Sequence, residues 1–165
     1  MILEGDCLEK LKEMKDESID MICTDPPYGY SFMGKDWDKA VIPVSYWKEC
    51  LRVLKSGAFA FIMSSPRQDV LGKMISNLTQ AGFNMGFTSL YWTYASGFTK
   101  AHNVGKKHKK LRGAYGGFQP KPAVEIILVC MKPLSEKTYV DQALKNRKGI
   151  TWLDDCRIPI TNNNE

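Results

Sequence analysis

Between Asp69 and Glu125 the sequence has no acidic residue. It also lacks any apolar run near the roughly 18–20 residues that a membrane span requires. Its start, Met1-Ile2-Leu3-Glu4-Gly5-Asp6, has neither the basic opening nor the apolar stretch of a secretory signal. These two absences predict a cytoplasmic protein that does not enter a membrane. The five cysteines (Cys7, Cys23, Cys50, Cys130, Cys156) never fall as C-x-x-C, which excludes a zinc ribbon and a paired disulfide framework. They read as reduced, small hydrophobes. His102 and His108 are six apart in a lysine-rich stretch without a neighbouring carboxylate or cysteine, so no metal site is expected. No internal repeat is visible. At 165 residues the chain is long enough for one domain with a sizeable core.

The missing acidic residues have a counterpart. The same window, 70–124, carries Lys73, Lys100, Lys106, Lys107, Lys109, Lys110, Arg112 and Lys121. The formal net charge is +5, yet outside this window acidic residues outnumber basic ones. The whole positive excess therefore lies in one segment. Such asymmetry suggests contact with a polyanion, most often nucleic acid, although a solvated basic loop has the same composition.

The pattern along the chain alternates strands and helices. Met1–Gly5 reads as a short strand, followed by a helix that opens at Asp6, with Glu9 placed as in a capping box. Ser18–Thr24 is an apolar run that stops at Asp25-Pro26-Pro27, because neither proline can donate to a ladder. Tyr28–Pro43 reads as a loop. In Val44–Lys55 the residues Trp47, Cys50, Leu51 and Leu54 fall on one helical face. Ala58–Met63 predicts a buried strand, about Gln68–Gln80 a second helix stopped by Ala81-Gly82, and Phe83–Tyr94 a long aromatic strand. Tyr91, Trp92 and Tyr94 are expected as core and rim of that strand rather than as a base-stacking platform. Ala123–Met131 predicts a further strand, free to pair antiparallel with Phe83–Tyr94. Between them, 95–122 reads as a basic surface loop rich in glycine. Glu136–Asn146 predicts a helix, Ile150–Cys156 a short strand, and Thr161–Glu165 a frayed tail. Together these imply a three-layer α/β fold with a mainly parallel sheet.

The chemistry is carried by Asp25-Pro26-Pro27-Tyr28. Average residue usage produces this tetrapeptide by chance on the order of once in a thousand chains of this length. It sits at the carboxyl end of a predicted strand, where open α/β sheets place their ligands. An aromatic exocyclic amine is a poor nucleophile, since its lone pair is delocalised into the ring. Two acceptors aimed at its N–H bonds would pull the nitrogen toward tetrahedral geometry. The Asp25 carboxylate supplies one, and the Pro26 carbonyl, pre-aimed by the Pro-Pro torsions, can supply the other. Tyr28 offers a flat face for stacking a base.

This motif resembles the D/N/S-P-P-Y/F/W signature of the S-adenosylmethionine-dependent N6-adenine and N4-cytosine DNA amino-methyltransferases. Gly5-Asp6-Cys7-Leu8 and the run Ser18–Gly29 resemble the start of their circularly permuted group, in which the catalytic half comes first. Trp47-Lys48-Glu49-Cys50-Leu51-Arg52-Val53-Leu54-Lys55-Ser56-Gly57 resembles that family's W-x-E-x-x-R-V-L-K-P-G helix, with Ser56 in place of proline. Gly97-Phe98-Thr99-Lys100 and Lys121-Pro122-Ala123-Val124-Glu125 resemble segments of phage-type adenine methylases. The resemblance covers about residues 1–160.

It implies a Rossmann-like methyltransferase fold with an antiparallel strand pair at one edge, and adenine-N6 methylation of DNA. The catalytic residues would be Asp25, Pro26, Pro27 and Tyr28, and the cofactor S-adenosylmethionine, held by Asp6 and Asp25. Asp6 reads equally as a plain helix N-cap. Lys100, Lys106, Lys107, Lys109, Lys110, Arg112 and Lys121 would contact double-stranded DNA, and Phe32 and Trp37 would wall the base pocket. The family's glycine-rich F-x-G-x-G cofactor loop does not occur here; Gly113-Ala114-Tyr115-Gly116-Gly117 only imitates it. The expected sheet is therefore incomplete on the cofactor side. A missing C-terminal half, a second subunit or self-association would have to complete it, and one flank of the Asp25 strand should be open. The alternatives are N4-cytosine methylation, a non-catalytic DNA-binding remnant, and the same chemistry on RNA or a protein amide.

Overall fold

A computed structural model describes residues 2–30, 34–97 and 99–158. Helix α1 (Cys7–Glu13) opens where Asp6 caps it, its Oδ1 accepting from the Leu8 and Glu9 amides at 3.0 and 3.2 Å. At its other end the Arg52 guanidinium, from helix α2 (Val44–Val53), donates to the carbonyls of Leu11 (2.7 Å) and Met14 (2.9 Å). It also pairs with Asp16 and Glu49. Carbonyls at a helix end have no partner inside the helix, so this guanidinium both satisfies them and ties α1 to α2. Arg52→Ala should lower the thermal midpoint and speed amide exchange along α1, leaving the central strands and the other helices protected. Unchanged exchange in α1 would mean that Arg52 does not dock it.

Strand β1 (Ile22–Thr24) runs into the proline pair and lies parallel to β2 (Phe59–Ser64). Helix α3 (Gln68–Ala81) follows and ends on Gly82, whose φ of 107° closes the last turn as only glycine readily does. The chain then forms β3 (Leu90–Thr93), a two-residue hairpin ladder of β4 (His102–Asn103) and β5 (Tyr115–Gly116), and β6 (Val124–Met131). The main sheet has the order β1-β2-β6-β3, with β6 antiparallel to both neighbours. Three of its four strands thus point one way, and β6 with β3 makes the expected antiparallel pair at one edge.

Residues Ala60, Ile62, Leu128 and Cys130 of the sheet pack with Trp47, Val70, Met74 and Leu78 of α2 and α3 in one buried cluster. Truncating a side chain such as Leu78, fully buried here, typically costs about 2–5 kcal/mol. The opposite face of the sheet is only half covered: Phe59, Phe61, Met63, Ile127 and Val129 are partly buried, and Leu90 and Trp92 are exposed. Among the described residues the fold is therefore two-layered over most of the sheet, where three layers were expected.

Four other expectations are corrected. Residues 2–5 form no strand; Ile2 is 96 % exposed. The Phe83–Tyr94 strand is confined to Leu90–Thr93, with an isolated bridge from Asn84 to Met131. Residues 95–122 are partly folded, and Leu153–Cys156 form a 3-10 turn where a strand was expected. The last helix, α4 (Tyr139–Asn146), starts at Thr138, whose hydroxyl accepts from the Asp141 amide. No helix among the described residues is long and apolar enough to cross a membrane.

Candidate active site

Asp25 stands exposed just beyond the carboxyl end of β1, and Pro26 behind it is buried. The Tyr28 hydroxyl donates to Asp25 Oδ1 at 2.7 Å. Partial burial, and then the neighbouring carboxylate, push the Tyr28 phenol well above its ordinary value. It remains a neutral donor at any physiological pH. The motif thus closes on itself, with its carboxylate and its ring held together at the end of the strand.

Backbone after the motif is fixed by a residue that sequence reasoning missed. Asp38, in the 3-10 turn Asp36–Asp38, is 3 % exposed. Its Oδ1 accepts from the Gly29 amide at 2.8 Å and its Oδ2 from the Tyr30 amide at 3.1 Å. The Tyr30 ring meets the Tyr28 ring edge-on, with centroids 6.0 Å apart, and carries the Arg67 guanidinium 4.2 Å from its centroid. Arg67 enters from the end of β2 and is paired with Asp69. Trp37, expected to wall a base pocket, is 62 % exposed beside Asp38. Phe32, its expected companion, lies outside the described residues.

Two and three strands away from β1, the register places Glu125 of β6 opposite Trp92 of β3, at the same end of the sheet as Asp25. These two residues, with Tyr94, Gly97, Lys100 and Pro122, line a cavity of about 340 Å³. Trp92, expected as core or rim of its strand, lies at the rim, on the edge strand β3 and 59 % exposed. All four residues of β3 are exposed, so this edge strand offers its aromatics to solvent on both faces.

The basic segment is more ordered than a loop. The 3-10 turns Val104–Lys106 and Lys109–Leu111 pack so closely that a side-chain carbon on Gly105 would lie 2.5 Å from the Leu111 carbonyl. Lys100, Lys106, Lys107, Lys109, Lys110, Arg112 and Lys121 are all exposed. Lys121 is already committed in part, donating to the Ala95 carbonyl. A second cavity, of about 580 Å³, is lined by Lys100, His102, Asn103, Lys106 and Tyr115 among others. No cluster of three metal-ligating side chains occurs among the described residues.

Asp6 fits a ligand role as well as a structural one. Its Oδ1 caps α1, and the residue is exposed, so a second carboxylate oxygen remains to accept from an amino group. Cap and ligand are compatible in one carboxylate.

Residues 19–150 match the family model of the N6/N4 DNA methylases. Type II methyltransferase M.HinfI of Haemophilus influenzae is 42 % identical over 85 residues, 39 % of this chain and 24 % of that one. DNA adenine methyltransferase YhdJ of Escherichia coli K12 is 36 % identical over 77 residues, 39 % of this chain and 24 % of that one. Among solved structures, TTHA0409 of Thermus thermophilus, determined with S-adenosyl-L-methionine, matches 94 % of this chain and 61 % of its own at a TM-score of 0.53. At 18 % identity that likeness speaks to the fold alone. The aligned part is thus about a quarter of each of these curated relatives and less than two-thirds of this solved one. The Asp25-Pro26-Pro27-Tyr28 tetrapeptide at the carboxyl end of β1, the mixed sheet beneath it and the match over most of the sequence converge: this chain belongs to the N6/N4 DNA methylase family.

Proposed function

We propose that this chain carries the catalytic half of a site-specific DNA methyltransferase that methylates adenine at N6, with S-adenosylmethionine as methyl donor. The observation that carries the reading is the Asp25–Tyr28 arrangement at the carboxyl end of β1. With Oδ1 engaged by Tyr28, the second Asp25 oxygen accepts from one N–H of the target amine, and the Pro26 carbonyl accepts from the other. Electron density then gathers on the nitrogen that attacks, and the proton it sheds leaves toward Asp25. Bound S-adenosylmethionine supplies a sulfonium-activated methyl group. Asp6 holds the cofactor's amino group. A base in a duplex cannot reach Asp25, so it must be flipped out. The cavity lined by Trp92 and Tyr94 supports a place for it, and Trp37 is proposed as a further wall. Lys100, Lys106, Lys107, Lys109, Lys110, Arg112 and Lys121 hold the duplex phosphates. The Asp form of the motif and the likeness to an adenine methyltransferase favour N6 over N4 of cytosine.

We further propose that a glycine-rich segment or second subunit completes the cofactor site. Its support is physical. Among the described residues β1 has one unpaired edge, residues 2–5 have no strand partner, and one sheet face is half covered. Open edges and apolar faces invite a partner.

Competition tests the substrate. Methyl transfer to labelled duplex DNA should be unaffected by excess RNA or glutamine-bearing peptide and suppressed by excess unlabelled duplex. Suppression by RNA or peptide alone would overturn the DNA assignment.

A further inference from the structure

We infer that Asp38 is a positioning residue for the Asp25–Tyr28 pair, a buried carboxylate that fixes the backbone leaving the motif. The inference rests on the functional reading above.

A carboxylate at 3 % exposure is strongly disfavoured unless its oxygens are satisfied. Those of Asp38 accept from successive amides, Gly29 and Tyr30. Successive N–H groups turned to one side form an anion-binding concavity, and here the anion is built into the chain. Gly29 has a φ of 79°, and a side-chain carbon there would meet the Val41 nitrogen at 2.9 Å. The turn is therefore pressed against residues 40–41, and Val41 is itself buried.

The consequence passes outward through named contacts. With its amide held, Tyr30 presents its ring between Arg67 and Tyr28. With Tyr30 in place, Tyr28 has a wall on one side and reaches Asp25 with its hydroxyl. The two amides that Asp38 holds follow directly on the motif, and it acts on the site through that backbone.

Asparagine at this position keeps one acceptor and turns an N–H donor toward an amide that also donates. Asp38→Asn should therefore free the turn. In the full chain, amide exchange at Gly29 and Tyr30 should rise at least about tenfold, and the Tyr28 ring resonances should shift. The catalytic rate should fall by on the order of tenfold to a hundredfold, as expected for a misplacement near 1 Å. KM for DNA should stay within a factor of about three, because the phosphate contacts lie elsewhere. Gly29→Ala disturbs the same clamp from its other side and should show the same split, should the Asp38 variant fold poorly.

Unchanged kcat in both variants, in a preparation whose wild type is active, would overturn the inference, as would equal losses in kcat and DNA affinity. If the wild type transfers no methyl group, the functional reading fails instead. The exchange and Tyr28 measurements then still decide the clamp, and an unmoved Tyr28 overturns it.

Discussion

Asp25→Ala is expected to reduce methyl transfer by at least about a thousandfold, the upper range seen when one preorganised partner of a developing charge is removed. DNA affinity and the thermal midpoint should barely move. The reason lies in where Asp25 stands. It is exposed at the end of β1, outside the buried core, and its hydrogen bond is with Tyr28. Its removal would delete the proposed acceptor for the reacting amine while the sheet and the basic segment stay as they are. Asparagine should be nearly as damaging, since it keeps an acceptor oxygen but neither the charge nor the capacity to take the proton. The measurement is single-turnover transfer at saturating DNA, alongside binding and melting curves. Transfer within tenfold of wild type would remove Asp25 from the catalytic role. A large fall in melting temperature would show that it serves the fold.

Neutralising Lys106, Lys107, Lys109 and Lys110 together should weaken binding to every DNA sequence alike. These four side chains are exposed on a compact pair of turns locked by Gly105, so their spacing is largely set before DNA arrives. Each phosphate that is no longer neutralised lowers the slope of log K against log salt by roughly 0.9. Four such phosphates would lower it by about 3.6, equivalent to an affinity loss of roughly a few thousandfold near 0.1 M salt. The relative preference among DNA sites should not change, since phosphate contacts position the protein without reading bases. A slope that stays the same would reduce the segment to a solvated face.

These expectations rest on unequal legibility. Helices α2 and α3 and strand β6 are plain in the sequence because each carries a strong period or a clear stop, such as Gly82 at the end of α3. Strand β3 is much shorter than its residue types suggest. Asn84 uses its side chain to accept from the Gly86 amide at 2.9 Å, so the chain turns where those types favour extension. Residues 1–5 and 150–156 look like strands, but a strand forms only against a neighbour, and among the described residues, 2–5 and 150–156 have none. Helix α4 begins later than composition suggests, because Thr138 and Asp141 make a reciprocal cap three residues apart.

The site divides the same way. Asp25-Pro26-Pro27-Tyr28 is legible because its chemistry is local. Asp38 is not, since its bonds reach eight and nine residues back and depend on how the intervening loop folds. The only signal is a tryptophan between two aspartates, and residue type favours Trp37 over its buried neighbour. Trp92 and Glu125 come together only through strand register.

The Asp25 end of this sheet is proposed to direct a methyl group onto the exocyclic nitrogen of adenine in DNA. Nucleoside mass spectrometry decides this. Duplex DNA is incubated with S-adenosylmethionine and the protein purified as its own cell makes it, then digested. N6-methyldeoxyadenosine is expected from the wild type and none from Asp25→Ala. Methylation found only at cytosine N4, or none from a preparation that binds both DNA and S-adenosylmethionine, would contradict this assignment.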